Sequence, residues 1–443
     1  MEKNKFLRDI LHLVSDSCSE QEVLSYLQDV EDNFHSEWLK EKGRHKLQLL
    51  WERRDTLSTS ELFAIGKAIS RLKVKHGVWL KKTIIDIKAQ PQGAHGYITE
   101  LLVASSITSE NSLTIPAPSN KPGFDVSLEG KGKNGKKILI SVKNHDVSKH
   151  YADFIKHSES IRGKFKVLIG SLGISARLVI YLSKSMSKEI HKECILMLHF
   201  KVKRLGEYHS KDGVITMIVS ALDDFNSRPV MTGSELCIIV SPFHRNEHLG
   251  FRRKLEAASV NMNKHLPKDD KTVRMLYMRI HHAANAKALN EIANNMLITD
   301  EKCGFDQVML VQPSVARSPD GRSSVHTCFQ LSELKQPTPE RNNISVYKDL
   351  GRINFDFPLG SISMSPSEIM LMEGNQKKVR LDECYLYQRG DIMVMAEKRE
   401  DGSYWGEPSS PASGIHVIPM FEIDGHIMGL QAIKPQYEEL LLI

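Results

Sequence analysis

Two short runs of sequence decide the fold, Phe124-Asp125-Val126-Ser127-Leu128-Glu129 and Ile138-Leu139-Ile140-Ser141-Val142-Lys143. Apolar and polar residues alternate along both runs, and a period of two is typical of β-strands that bury one face. Asp125 lies on the face opposite the apolar residues of the first run, and Lys143 lies on the matching face of the second, beside Leu139. The pattern therefore predicts a hairpin whose polar face carries a carboxylate and an ammonium group.

The turn between the two strands sets their register, because directly opposed residues of a hairpin must point to one face. A two-residue turn on Asn134-Gly135 would place a core valine opposite Lys143. A three-residue loop, Lys133-Asn134-Gly135, with its glycine in the left-handed region of a bulge, pairs Asp125 with Lys143 instead. We therefore predict the second register.

The segments around the hairpin complete an α/β pattern. Residues 96–104, with Glu100 at their centre, precede the strands and indicate a helix. Residues 151–162 are predicted to form the next helix, and residues 166–170 the next strand. The predicted order is helix, two strands, helix, strand.

This order, with Glu100, Asp125 and Lys143 at these places, resembles the PD-(D/E)XK phosphodiesterases. That restriction-endonuclease-like superfamily includes Holliday junction resolvases and several repair nucleases, and the resemblance covers residues 95–171. It implies that Glu100 and Asp125 hold Mg²⁺, for which Mn²⁺ substitutes, through hard oxygen ligands. It also implies that Lys143 orients the attacking water and offsets the charge that develops in the transition state.

Ser141 departs from the family pattern, which usually has Asp or Glu two residues before the lysine. A serine hydroxyl is a much poorer ligand for a hard cation than a carboxylate. Some restriction endonucleases of this superfamily also carry serine there and take the missing carboxylate from the next helix. By that resemblance the donor is Asp153 or Glu159, whereas Asp146 is nearer to Lys143 but is predicted to lie in a loop. We predict Glu159, whose distance along the chain from Lys143 is closer to that of the serine-bearing enzymes.

The charge distribution favours a polyanionic ligand. The chain has a formal net charge of +6, whereas residues 71–165 alone hold 16 Lys and Arg against 8 Asp and Glu. We predict that nucleic acid binds there, DNA in the first place and RNA as an open alternative. The same charge also fits an ordinary solvated face. The predicted nucleic-acid-binding residues are the lysines of the hairpin loop, namely Lys131, Lys133, Lys136 and Lys137.

Composition and patterning divide the 443 residues into three regions. We predict a helical N-terminal domain (1–90), a nuclease-like α/β domain with a mixed-sheet core (91–245), and a C-terminal α+β domain (246–443) that includes a strand at 273–280. The six cysteines form no C-x-x-C pair, and no apolar run approaches the ~18 residues that span a membrane. We therefore expect a cytoplasmic protein that does not enter the membrane.

Three functions remain open at this point. The favoured one is a Mg²⁺-dependent DNA endonuclease of restriction, repair or defence against foreign DNA. The second is a nuclease-fold protein that binds nucleic acid without chemistry, for which Ser141 is the main argument. The third is a subunit of a larger complex, with a protein partner or a second copy bound to the flanking domains.

Overall fold

The computed structural model describes residues 5–41, 43, 45–109, 112–117, 122–130, 135–221, 235–269, 271–281, 283–317, 323–333, 346, 350–356, 361–363, 368–373, 376–380, 384–390, 394–398, 404–408, 415–423 and 426–429. It is a mixed α/β structure with several sheets. None of the helices within these ranges is long and apolar enough to cross a membrane.

The N-terminal part of the described chain is helical, as its apolar spacing predicts. Ser19 and Glu22 form a capping box that starts the first helix, and the spacing of Val23, Leu27 and Val30 buries one face of it. The helices are α1 (Glu20–Phe34), α2 (Ser36–Lys40), α3 (Lys46–Glu52) and α4 (Thr56–Ala89). They share one hydrophobic core with the main sheet and with α5 (Ala94–Ser106), the predicted helix that carries Glu100.

The main sheet has seven strands. In chain order these are β2 (Ser112–Pro116), β3 (Val126–Gly130), β4 (Lys137–His145), β9 (Thr272–Ile280), β10 (Gln307–Arg317), β11 (Ser323–Glu333) and β13 (Ser361–Ser363). The order across the sheet is β13-β11-β10-β9-β4-β3-β2, and the central β4, β9 and β10 are parallel. Its second face packs against α8 (Leu249–His265) and α9 (Ala286–Thr299), which produces three layers.

The hairpin β3–β4 has the predicted faces but not the predicted register. Val126 lies opposite Ile140, which shifts the pairing by two residues from the register that opposed Asp125 and Lys143. The reason is the length of the connecting loop. The predicted loop has three residues, whereas five residues lie between Gly130 and its hydrogen-bond partner Lys136. Because two residues are one full period of a strand, the shift leaves every strand residue on its predicted face.

A second sheet of five strands is built mostly from the chain between β4 and β9. Its strands are β5 (Ala176–Leu182), β6 (Gly206–His209), β7 (Ile215–Ala221), β8 (Glu235–Pro242) and β16 (Cys384–Gly390), in the order β16-β8-β5-β7-β6. The helices α6 (Lys149–Leu172) and α7 (Lys188–Lys201) cover one face of it.

The strand predicted at residues 166–170 is wrong, because these residues are the last part of α6. Ile161, Phe165 and Ile169 recur every four residues and are all buried, so the segment follows the helical period. The strand that lies parallel to β4 is β9, more than a hundred residues later, and it matches the strand predicted at 273–280. The main sheet thus takes strands from both sides of residue 245.

The other described strands form smaller sheets. A pair joins β1 (Ile107–Ser109) to β12 (Ile353–Phe355), and another joins β17 (Val394–Lys398) to β18 (Tyr404–Pro408). A four-stranded sheet contains β14 (Glu368–Glu373), β15 (Gln376–Arg380), β19 (Ile415–Ile423) and β20 (His426–Gly429).

Candidate functional site

Asp125 lies at the entry to β3 and is fixed by β4. Its backbone N–H donates to the carbonyl of Ile140 at 2.8 Å, which extends the ladder by one residue. Its Oδ2 accepts hydrogen bonds from the backbone N–H of Val142 at 2.6 Å and from the hydroxyl of Ser141 at 3.3 Å. The carboxylate is therefore held in one orientation by its neighbouring strand.

Lys143 completes this contact set. Its Nζ donates to Oδ2 of Asp125 at 3.4 Å and to the carbonyl of Val142 at 2.9 Å. The side chain keeps 40% of its surface exposed, so its ammonium group reaches solvent while it touches the carboxylate. The strand pair thus joins the two predicted residues although its register differs from the prediction.

Glu100 projects from α5 toward the same two residues. Burial raises the pKa of Glu100 to about 8, the negative charge of Asp125 adds to the shift, and the positive charge of Lys143 opposes it. Asp86 on α4 contributes a further upward shift. The carboxyl groups of Glu100 and Asp125 therefore share Lys143, and this arrangement favours either a retained proton or a bound cation.

Ser141 is buried, and its hydroxyl contacts Asp125. Its hydroxyl donates to the carboxylate, and its position in β4 lies between β3 and β9. A hydroxyl that donates to a carboxylate favours the charged form of that carboxylate. The residue that departs from the family pattern is thus in contact with the predicted metal ligand.

Glu159 lies in a different cluster. It is in α6, where its Oε2 is 3.7 Å from Arg162 and its Oε1 is 3.8 Å from Arg389 of the second sheet. Within the described part of the chain, no hydrogen bond or ion pair joins Glu159 or Asp153 to Asp125 or Lys143. The structure therefore brings together Glu100, Asp125, Ser141 and Lys143 but not Glu159.

The two described lysines of the hairpin, Lys136 and Lys137, are also distant from the carboxylate of Asp125. Lys131 and Lys133 lie outside the described residues. Lys136 and Lys137 lie at the turn end of the hairpin, where Lys137 faces Glu129. Asp125 is at the other end of β3, about 13 Å away at ~3.3 Å per residue.

A polar network around Asp146 adjoins the site, and its partners His95 and Arg279 were not predicted from the sequence. Asp146 follows β4, and its Oδ1 is 3.3 Å from Nδ1 of His95 on α5 and 3.2 Å from Nη1 of Arg279 on β9. The hydrogen bond from His95, ahead of the charges of Arg279 and Lys254, holds the pKa of Asp146 far below its usual value. Asn144 accepts from Thr99 at 3.0 Å, one residue before Glu100. The polar run directly after Lys143 was the available signal.

The donor set fits a hard divalent cation in composition. Mg²⁺ is commonly held by one or two carboxylates together with water and substrate oxygens, and Glu100 and Asp125 are such a pair. Among the described residues, no group of three or more His, Cys, Asp or Glu is arranged to hold a metal ion. A cation here would thus depend on two carboxylates and on ligands from outside the protein.

No protein-family model, curated protein sequence or solved structure matches this chain.

Proposed function

We propose that this chain is a Mg²⁺-dependent endonuclease that hydrolyses phosphodiester bonds in DNA. The observation that carries the proposal is the contact of Asp125 with Lys143 beside the half-buried Glu100. A carboxylate pair next to one lysine provides cation ligands and a group that stabilises negative charge.

The order of the elements also supports the proposal. The resemblance requires a helix with a glutamate, two strands with an aspartate and a lysine, a helix, and a strand. The chain supplies α5, β3, β4, α8 and the parallel β9, with α6, α7 and four strands of the second sheet inserted before α8. The restriction-endonuclease-like core is therefore part of this proposal.

Glu100, Asp125 and Lys143 would have different roles in the reaction. Glu100 and Asp125 would hold the Mg²⁺, which supplies Lewis-acid activation of a phosphoryl oxygen and of water when bound. Lys143 would orient the attacking water and stabilise charge on the phosphoryl oxygens. The attacking water would release a proton to solvent as its oxygen forms a bond to phosphorus, the bond from phosphorus to the leaving oxygen would break, and that oxygen would take up a proton from solvent.

Basic residues near the site favour a polyanionic substrate. Lys254 of α8 donates from Nζ to the carbonyl of Asn144 at 2.6 Å, directly after Lys143. The exposed Arg245, Arg252 and Arg253 lie in and before the same helix. Lys254 thus lies beside the end of β4 that carries Lys143, whereas Lys136 and Lys137 lie at the opposite end of the hairpin.

A matched pair of lysine variants of β4 tests the proposal. Supercoiled plasmid and a single-stranded RNA are incubated with the protein and Mg²⁺, Mn²⁺ or a chelator. We expect metal-dependent plasmid cleavage that Lys143→Met abolishes and that Lys137→Met, at the far end of the same strand, retains. Absence of cleavage with both metals, or equal cleavage by both variants, would reject the proposal.

Ser141 favours a second candidate, a nucleic-acid-binding protein without chemistry. This residue supplies a neutral hydroxyl where a third carboxylate would be expected. In that case the wild-type protein binds duplex DNA with a steep dependence on salt but neither cleaves it nor binds Mg²⁺. Calorimetric titration with Mg²⁺, compared with Ser141→Glu, separates the two candidates.

A further inference from the structure

An apolar groove lies between α6 and α7 on the side that faces away from the five-stranded sheet. Its volume is about 710 Å³. The residues that line it on α6 include Gly163, Lys164 and Val167, and those on α7 include Lys192, Ile195 and Leu196. The residues of α6 that face the sheet core, such as Phe165, lie on the opposite side of the helix.

The groove exposes large apolar side chains side by side. Among the lining residues, Val167 is 65% exposed and Leu196 is 59% exposed. Phe200, one turn beyond Leu196 on α7, extends the apolar surface past the groove and is 71% exposed. Single exposed apolar residues are ordinary on protein surfaces, whereas a contiguous set that lines a groove is typical of an interaction site. These residues are not needed for the core that α6 and α7 form with their sheet.

The shape of the groove suits a helix. The lining residues of α6 follow a spacing of three and four, so they form one straight wall. A Cβ built on Gly163 would meet no atom within 4 Å, which leaves room for a side chain of a bound partner. A helix with apolar residues at positions i, i+3 or i+4, and i+7 can fill such a groove.

The charge around the groove selects the partner. The described lining of the groove includes Lys164 and Lys192 but no Asp or Glu. A second copy that offered the same face would bring like charges together, whereas an acidic partner would complement them. Nucleic acid would not require the apolar walls.

We propose that this groove binds an acidic amphipathic helix of a partner protein. The apolar face of the helix packs on Val167, Leu196 and Phe200, and its acidic flanks face Lys164 and Lys192. This site is on the second sheet and does not depend on the carboxylates of the main sheet or on catalysis.

Selection from a displayed peptide library tests this proposal with the full chain. The library holds helices of about 20 residues with leucines fixed at i, i+3, i+4 and i+7 and random flanking positions. We expect enrichment of Asp and Glu on the flanks. The selected peptides should bind Leu196→Glu at least about tenfold more weakly, and Lys164→Glu/Lys192→Glu should prefer basic flanks.

The control variant is Val74→Glu, which changes an 81% exposed apolar residue of α4 and should leave peptide binding unchanged. Thermal unfolding of all variants verifies that they are folded. Three outcomes would overturn the proposal: no charge bias among the selected peptides, equal binding by Leu196→Glu, or displacement of the peptides by duplex DNA. A wild-type dimer in sedimentation that Leu196→Glu dissociates would also overturn it, because a second copy would then cover the groove.

Discussion

Two carboxylate clusters, one on each large sheet, differ in how their negative charge is balanced. On the second sheet, the buried Glu235 lies 2.7 Å from Nη2 of Arg162, and Glu159 lies between Arg162 and Arg389. On the main sheet, Glu100 and Asp125 share the single ammonium group of Lys143.

The difference separates a structural role from a chemical one. Arginines in fixed geometry neutralise the carboxylates of the second sheet, so that cluster needs nothing from solution. The carboxylates of the main sheet repel each other, and this repulsion lowers stability unless a proton or a cation compensates for it. Residues kept in an unfavourable arrangement are candidates for function.

The largest effect should follow loss of the main-sheet carboxylate. Asp125→Asn keeps the shape of the side chain but removes its charge, so cation binding and cleavage should fall by at least about 10²-fold. The thermal stability should change little, because the amide oxygen still accepts from the backbone N–H of Val142. Plasmid cleavage rates and unfolding temperatures are measured together. Equal losses of activity and stability would assign Asp125 to the structural class instead.

The matching substitution on the second sheet, Arg162→Met, should lower the stability of the protein. Arg162→Met leaves Lys166, at 3.9 Å, as the remaining ion-pair partner of the buried Glu235 among the described residues. Removal of one partner from a buried ion pair strongly destabilises a protein, and because Arg162 is partly exposed we expect a loss of about 2 kcal/mol. Urea denaturation measures the loss, and the cleavage rate of the folded variant serves as the control. A variant that is as stable as the wild type would show that the two clusters do not differ in this way.

The faces of the hairpin could be predicted from the sequence because strand alternation is a local property of neighbouring residues. Its register could not, because the loop length is independent of that alternation, and the two-residue shift kept Asp125 and Lys143 in contact only because it is one full strand period. Local sequence patterns could not predict which residues distant segments of the chain bring to the site. Nothing near Lys143 indicates that β9 follows an inserted sheet, or that Arg279 from that strand would approach Asp146.

Glu159 shows the limit of the resemblance. Its distance along the chain from Lys143 suggested a ligand, but α6 extends to Leu172 and packs on the second sheet, where Glu159 meets arginines. Spacing along the chain predicts a shared site only when both residues belong to the same packed unit.

A smaller effect is expected in the pH dependence of the unfolding temperature, which the main-sheet cluster should change through Glu100. Without metal, Glu100 ionises near 4.5 in the unfolded chain but near 8 in the folded one. Between these values the unfolded state binds fewer protons, so stability should fall as the pH rises. Glu100→Gln removes this loss, and its unfolding temperature should exceed that of the wild type at pH 8 and approach it at pH 4.5.

Addition of Mg²⁺ provides the control for this pH effect. Cation binding must displace the proton of Glu100, so wild-type affinity should rise by up to about tenfold per pH unit until the pH reaches about 8. Calorimetry in buffers of different ionisation enthalpy would detect the released proton. A difference in unfolding temperature between the wild type and Glu100→Gln that does not change with pH over this range would show that the pKa of Glu100 is not raised in the folded protein.

The smallest effect should come from Ser141, where the chain departs from the family pattern. Ser141→Ala removes a 3.3 Å hydrogen bond to Asp125, but the shorter bond from the backbone of Val142 remains and keeps the carboxylate oriented. A hydrogen bond of this kind is worth about 1 kcal/mol, so cleavage should decrease by about fivefold. The matched control is Ser127→Ala on β3, a buried serine whose hydroxyl lies 3.2 Å from Glu129 instead, and it should leave cleavage unchanged. A loss with Ser141→Ala as large as that of Asp125→Asn would mean that the hydroxyl itself binds the metal or the water, and Ser141 would then belong with the ligands rather than with their support.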